Sequence, residues 1–280
     1  MSVTRIGVCS WSLRPTTAAD LASKIRAAGL ARVQIALTDL AKDEAQLTRT
    51  RAALAEAGIT VRSGMLATIG EDYTTLETIR RTGGLRPDEH WEANLARAQA
   101  VAVAARSFGV SLVSFHAGFL PESKGSRERG TMLARLRQVV DVFADERVRI
   151  ALETGQERAE VLLDVLAELG RPSCGVNFDP ANMILYGMGD PVAALALLAP
   201  RVLQIHVKDA RAAKTRGAWG EEVAVGTGEV DWAAFFGVYR EKKLAVDLMI
   251  EREAGEDRVG DITRARAVVE RELARIAVAG

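Results

Sequence analysis

The chain has 280 residues, and its 37 lysines and arginines balance 37 aspartates and glutamates to a formal net charge of zero. Such a balance supplies neither the positive field that draws a protein to nucleic acid nor a charged tail, so no nucleic-acid partner is expected. The two cysteines, Cys9 and Cys174, are too few for a disulfide framework and lie in apolar runs, where a reduced, buried thiol is expected.

The opening MSVTRIGVCSWSL has no long apolar segment behind a basic start and no small-residue cleavage pattern. It reads as leading into a first strand, Arg5–Ser10, and not as a signal peptide. From there short β-rich runs alternate with longer segments rich in alanine, leucine and arginine. A helix over Thr17–Ala28 leads to a strand at Arg32–Leu37, and a helix over Leu40–Ala57 to a strand at Ile59–Leu66. The glycine- and charge-rich stretch Ile69–Pro87 is expected to be a long loop on the rim, placed to close over a ligand. Helix Asp88–Phe108, strand Ser111–His116, helix Ser126–Ala144 and strand Val148–Glu153 come next. Helix Arg158–Leu169, strand Cys174–Asp179, helix Pro191–Leu198 and strand Val202–His206 follow. Helix Trp232–Glu241, strand Leu244–Glu251 and a last helix Asp261–Ala277 complete the series. Gly29, Gly58, Gly109 and Gly170 stand at helix exits, where a left-handed cap is easiest without a side chain. Eight strands alternating with eight helices are the pattern of parallel βα units. They imply an α/β protein with a single (β/α)8 TIM barrel domain over residues 1–280. No run reaches the roughly 18 consecutive apolar residues of a membrane span, so a soluble, cytoplasmic protein with no membrane partner is expected.

Four potential metal ligands each close one of these strands: Glu153 after VRIAL, Asp179 after CGVNF, His206 after RVLQI and Glu251 after LAVDLMI. Intervals of 26, 27 and 45 residues separate them, but neighbouring parallel strands of a barrel finish on one rim, where such side chains converge. A lone carboxylate at a strand end is commonly a helix cap. The ordered set of four is what points to one divalent cation. Three oxygen donors and one nitrogen suit manganese, magnesium or cobalt, with manganese the first choice, and zinc is compatible with the ligand types.

Alternation along the strands extends the site. If His206 points inward, so do Gln204 and Lys208; Asp179 carries Asn177 with it, and Glu251 carries Asp247 and Glu253. Lys208 is expected to bind a substrate oxygen or to pair with a carboxylate, while Asn177 and Gln204 orient ligands by hydrogen bonds. Asp247 and Glu253 are expected in structural polar pairs. His116, ending the fourth strand, is a candidate for substrate contact, and His90 for a surface or capping role. Trp11 either stacks on a sugar face or closes the core. Arg211 is a candidate substrate contact from the loop after the seventh strand, with a solvated arginine as the alternative. The segment GTGEVDW, Gly226–Trp232, offers amides to a phosphate, but a tight turn capped by Asp231 explains it without a ligand.

The series IALETGQE, VNFDPAN, IHVKD, VGTGEVDW and MIEREAG, with the opening IGVCSWSL and VQIAL, resembles the xylose-isomerase-like barrel superfamily in its sugar-phosphate isomerase/epimerase branch. The resemblance implies that Glu153, Asp179, His206 and Glu251 bind one divalent metal. It also implies that Glu153 and Glu251 move a proton to and from a ketose or ketose phosphate through an enediolate. Two positions depart from the family pattern. Asn182, in DPAN, stands where ketose 3-epimerases often carry histidine, so their substrate contacts do not transfer intact and Asn182 is a candidate in its own right. Gln34 stands where related sequences commonly have glutamate.

The partner implied is a small sugar or sugar-derived substrate, with a homo-oligomer left open. The rival readings are a metal-dependent lyase or dehydratase on a keto-sugar, inosose or dehydroshikimate-like substrate, and a noncatalytic sugar-binding barrel. Endonuclease IV relatives use a histidine-rich trinuclear zinc centre, for which His90, His116 and His206 are too few.

Overall fold

A computed structural model describes residues 5–215 and 217–278. Eight parallel strands form a closed barrel: β1 (Ile6–Cys9), β2 (Arg32–Ala36), β3 (Thr60–Met65), β4 (Leu112–Phe115), β5 (Arg149–Glu153), β6 (Cys174–Phe178), β7 (Val202–Val207) and β10 (Asp247–Ile250). Between the last two lies a small antiparallel hairpin of β8 (Asp209–Arg211) and β9 (Glu221–Val223). The strands neighbour one another in chain order, and β10 returns to β1 with Ile6 opposite Leu248 and Val8 opposite Ile250. The chain is thus the (β/α)8 TIM barrel that its alternation predicts. Closure is tight at Gly7, where a Cβ would lie 2.6 Å from Met249 Sδ.

Helices α1 (Ala18–Ala27), α2 (Glu44–Glu56), α3 (Leu76–Thr82), α4 (Trp91–Ser107) and α5 (Arg127–Asp145) cover the first half of the barrel. In the second half come α6 (Ala159–Leu169), α7 (Pro180–Tyr186), α8 (Pro191–Leu198), α9 (Trp232–Glu241) and α10 (Arg258–Val278). Their packing follows from helical spacing. In α5, Met132, Leu133, Leu136, Val139, Val140 and Phe143 form one buried stripe, and the Ser126 hydroxyl caps the start by accepting from the Arg129 amide. Each such side chain contributes about 1.5–3 kcal/mol on burial. α6 ends at Gly170, whose φ of 64° is the left-handed cap expected there. Among the described residues no helix is long and apolar enough to cross a membrane.

The barrel interior is polar. Outward residues such as Val176, Phe178, Ile205 and Val207 are buried in the apolar core, whereas the alternate residues Asn177 and Gln204, register partners on neighbouring strands, point inward and bond each other at 3.2 Å. Gln204 Nε2 donates to Gln34 Oε1 at 2.9 Å, joining β7 to β2, strands that are not neighbours in the sheet. Ser63 bonds Gln204, and Gln34 Nε2 donates to Ser114 Oγ at 2.7 Å, so a belt of hydrogen-bonded side chains fills the middle of the barrel. At the strand starts Arg32 and Arg62 each bond Asp247 at 2.8 Å, the structural pairing expected for that aspartate.

Four expectations change. The loop Ile69–Pro87 contains α3, started by a capping box between Thr75 and Thr78. The single helix over Leu40–Ala57 is broken at Asp43, whose carboxylate caps α2 through the Gln46 amide. α7 and the β8–β9 hairpin were not expected. Asp-Pro at 179–180 is a helix-start signal and Gly187, at φ 68°, a stop, but α7 is only seven residues long and follows its strand with no loop between. Cys9 and Cys174 are free and buried, as expected.

Candidate functional site

Glu153 ends β5, Asp179 follows β6, His206 lies in β7 and Glu251 follows β10. One ligand atom from each lies within 4.8 Å of all the others. His206 Nδ1 is 3.2 Å from Glu153 Oε1, 3.4 Å from Glu251 Oε2 and 3.9 Å from Asp179 Oδ2. All four residues are buried, none more than 4% exposed.

The histidine tautomer is set from below. The carbonyl of Gly64 can only accept, so the Gln34 amide must turn its Nε2 toward it, at 3.1 Å, and its Oε1 toward His206 Nε2, at 2.7 Å. His206 Nε2 therefore carries a proton and donates it, and Nδ1 is the atom presented to the three carboxylates. Cys9 lies beneath the same ring, 3.7 Å from Nε2, with burial pushing its thiol up to about 12. It is a neutral filler of the lumen.

Asp179 is divided in the same way. Its Oδ1 accepts from the Asn182 amide at 3.0 Å and caps α7, and the Thr154 hydroxyl brackets its backbone. Its Oδ2, like His206 Nδ1, is buried with no hydrogen-bond partner among the described residues. Two orphaned polar atoms inside a cluster of carboxylates are costly unless something joins them. A divalent cation held by one imidazole nitrogen and three carboxylate oxygens fits that need, and the donor set is one that oxygen-preferring divalent ions accept.

Charge is unevenly shared. Burial raises Glu153, but His116 and His206 outweigh it and leave its carboxyl below the ordinary value. Burial also raises Glu251, and Lys208 and His206 more than reverse this, holding it well below the carboxylate range. For Asp179 burial prevails, helped by the neighbouring glutamates, and its carboxyl is pushed well up. Burial lowers His206, but Glu153 and Glu251 more than reverse this and draw it well above its usual value. Without a cation the cluster retains protons that a cation would displace.

Of the other expected residues, five gather here. Trp11 Nε1 donates to Glu251 Oε1 at 2.8 Å. Lys208 Nζ bonds Glu251 Oε2 at 2.9 Å and Glu253 Oε2 at 2.6 Å, and reaches Asn182 Oδ1 at 3.4 Å. Asn182 Nδ2 donates to Glu153 Oε1 at 3.0 Å, and Asn177 Nδ2 donates to Glu153 Oε2 at 3.3 Å. His116 Nε2 stands 3.6 Å from Glu153 Oε1, and its Nδ1 is buried without a hydrogen-bond partner among the described residues. Gly155 makes the approach of Asn182 possible: at φ 133°, a Cβ there would lie 2.4 Å from Asn182 Cβ.

Arg211 is placed elsewhere. It lies on β8, half exposed, with Nη2 on the Thr227 carbonyl at 2.9 Å and Nη1 3.7 Å from Glu221 of the facing strand. The hairpin that diverts it has no strong sequence signal. The amides of Gly226–Trp232 are also taken: those of Gly226, Gly228 and Val230 donate to the buried Asp209 carboxylate at 2.8, 3.2 and 3.2 Å. Trp232 Nε1 donates to the same carboxylate, and Asp231 caps α9 as expected.

Above the cluster opens a cavity of about 750 Å³, bordered by Trp11, His116, Asn182, Lys208 and Glu251. Its outer wall comes from residues the sequence did not single out: Thr68, Glu71 and Tyr73 after β3, Tyr186 at the end of α7, and Trp219 and Glu222 of the hairpin. Ile79, Phe119, Tyr186 and Trp219 belong to a small apolar cluster separate from the main core, which ties these loops together. Recognising α7 from its Asp-Pro start places Tyr186; nothing in the local sequence places Trp219.

A crystal structure of a xylose isomerase domain protein from Planctomyces limnophilus is 31% identical, covers 98% of each chain and superposes with a TM-score of 0.87. D-allulose 3-epimerase from Methylomonas sp. is 17% identical over 96% of this chain and 97% of its own, with a TM-score of 0.71, a likeness of fold. The uncharacterized protein YihM of Escherichia coli is 29% identical over 140 residues, which span 49% of this chain and 41% of YihM. Residues 22–273 match the family model described as xylose isomerase-like TIM barrel, and the chain belongs to that family.

Proposed function

We propose that the protein is a divalent-metal-dependent sugar isomerase or epimerase that moves a proton beside the carbonyl of a ketose-type substrate through an enediolate. The observation that carries this reading is the convergence of four strand-end ligand atoms within 4.8 Å, two of them buried and without a hydrogen-bond partner among the described residues. Glu153, Asp179, His206 and Glu251 would hold the ion, with manganese preferred and magnesium, cobalt or zinc able to use the same donors. When bound, the ion supplies Lewis-acid stabilisation of the negative charge that develops on the substrate's oxygens.

The side chains divide the remaining work. Glu153 and Glu251 enter the cluster from strands separated around the barrel, and each has an oxygen oriented by a neighbour, Asn182 for Glu153 and Trp11 for Glu251. Such a pair can take a proton from one face of a planar intermediate and return one to the other. Lys208 holds Glu251 Oε2 and stands where developing negative charge on a substrate oxygen would be met. His116, which borders the cavity with Nε2 3.6 Å from Glu153, is a substrate-binding residue. The D-allulose 3-epimerase likeness agrees with a ketose as the reacting unit.

The test is NMR of metal-supplemented protein with ketoses, inososes and keto-glycosides in deuterated water, with metal content measured on the same sample. Solvent deuterium on the carbon beside the carbonyl, with one ion bound per chain, is the expected result. Elimination products would transfer the chemistry to a lyase. Turnover in which the substrate hydrogen is retained would reject proton transfer.

A further inference from the structure

The cavity over the strand ends is larger than one sugar ring needs. At about 30 Å³ per water, its 750 Å³ holds on the order of 25 waters. Even if every heavy atom of a hexose displaced one such water, about half of the space would stay unfilled.

The remaining wall is aromatic. Tyr73, Tyr186 and Trp219 line it, the last two in edge contact with ring centroids 4.9 Å apart. Trp219 Nε1 and Thr68 Oγ1, on residues that border the cavity, are buried and without a hydrogen-bond partner among the described residues. Rings with an apolar face bordering the cavity suit a second saccharide or aryl ring.

The same wall is unsuited to an anion. Lys42 is paired with Asp39 at 2.8 Å and Arg97 donates to the Ala67 carbonyl, while Lys208 belongs to the strand-end cluster, held by Glu251, and not to this wall. The loop after the seventh barrel strand, where many barrels bind phosphate, has its amides occupied by the Asp209 carboxylate. A phosphate there would have to displace a buried carboxylate of the protein itself.

We propose that the natural ligand is an uncharged two-unit glycoside, with one sugar at the strand-end cluster and a second ring packed against Tyr186 and Trp219. This rests on the sugar-acting reading above and narrows it to unphosphorylated substrates larger than a monosaccharide.

Titration calorimetry of magnesium-loaded protein with fructose, fructose 6-phosphate, cellobiose and phenyl β-glucoside tests it. At least one of the last two binds about tenfold tighter than fructose, about 1.4 kcal/mol, and comparison of the two tells whether the second ring is a sugar or an aromatic group. Fructose 6-phosphate binds no tighter than fructose. In Trp219→Ala the ratio of two-unit to one-unit affinity falls toward one, with circular dichroism and metal content showing an intact barrel. A tenfold preference for the phosphate ester, equal affinity for all four probes, binding of none, or full retention of the preference in Trp219→Ala would overturn the assignment. Metal stoichiometry and solvent exchange report the chemistry separately. Protein that passes those tests and shows no two-unit preference defeats only the glycoside assignment; protein that binds glycosides but no divalent ion defeats only the proposed chemistry.

Discussion

Two tiers of polar side chains occupy the barrel interior, and they differ in one respect. In the lower tier Gln34, Ser63, Ser114, Asn177 and Gln204 satisfy one another across the lumen. In the upper tier Asp179 and His206, each two residues further along the same strand lines as Asn177 and Gln204, end in buried atoms with no hydrogen-bond partner among the described residues. Both tiers are buried to the same degree. Burial of polar groups therefore does not by itself mark a functional site in this fold. A closed network is architecture, and an open one is a place for a ligand.

The sharpest way to break the comparison is to change the upper tier without changing its size. Glu153→Gln and Glu251→Gln each remove a proton-accepting oxygen and are expected to lower turnover by about 100-fold or more. Rates must be compared at equal metal content, because each glutamate is also assigned as a ligand. Near-normal turnover in both metal-loaded variants would return these residues to the structural class of the lower tier.

Glu157 sharpens the contrast from a third direction, as a buried carboxylate outside both tiers. It is 7% exposed, no hydrogen bond or ion pair of its side chain occurs among the described residues, and burial alone pushes its pKa up to about 8. Folded protein thus holds this proton more tightly than unfolded chain, so stability falls as pH rises from about 4.5 through about 8. Glu157→Gln should be nearly neutral at pH 5 and stabilising above pH 8, by on the order of 3–5 kcal/mol at most. Thermal melts of both proteins at pH 5 and pH 9 check it. Equal melting temperatures at pH 9 would mean that this carboxylate has found a partner.

Gln34 joins the tiers, since its amide closes the lower network and fixes the His206 tautomer. Gln34→Leu leaves all four candidate ligands in place. It should nonetheless weaken divalent-ion binding by about 10–100-fold, the range for lost partners of metal-ligating histidines. Titration of the metal into apo protein measures this, and unchanged affinity would separate the tiers energetically.

How much of this was legible in the sequence depends on how local each cause is. The four strand-end residues were legible because parallel strands deliver their ends to one rim whatever the length of chain between them. The same alternation gave the inward direction of Asn177, Gln204 and Lys208. The tautomer lock was not legible, because it joins residues 172 positions apart in sequence across the lumen, and Gln34 registered only as a departure from a family pattern. The hairpin that carries Arg211 was not legible for a related reason: β8 is three residues long and its partner β9 is equally short, so there are too few residues to show a period; the half-exposed Arg211 itself fits the solvated alternative. The outer wall, with Tyr186 and Trp219, depends on how loops from three strand ends pack together. That packing is set by the small rim cluster and not by any single run of sequence.

The smallest expected effect tests how far the upper tier depends on orientation as distinct from charge. Trp11 Nε1 donates to Glu251 Oε1 at 2.8 Å, while Lys208 holds the other oxygen. Trp11→Phe keeps an apolar ring against the His206 face, 6.2 Å away between centroids, and deletes only the N–H. A hydrogen bond to an ionised group is worth about 1.5–3 kcal/mol, and Lys208 still restrains the carboxylate, so the loss should fall at the low end of that range. Turnover is expected to drop about tenfold with metal occupancy and circular dichroism unchanged. If the ring were instead a platform for the sugar, KM would rise while kcat held, because an interaction shared by ground and transition states affects binding alone. The split between kcat and KM thus decides whether Trp11 positions the base or receives the substrate.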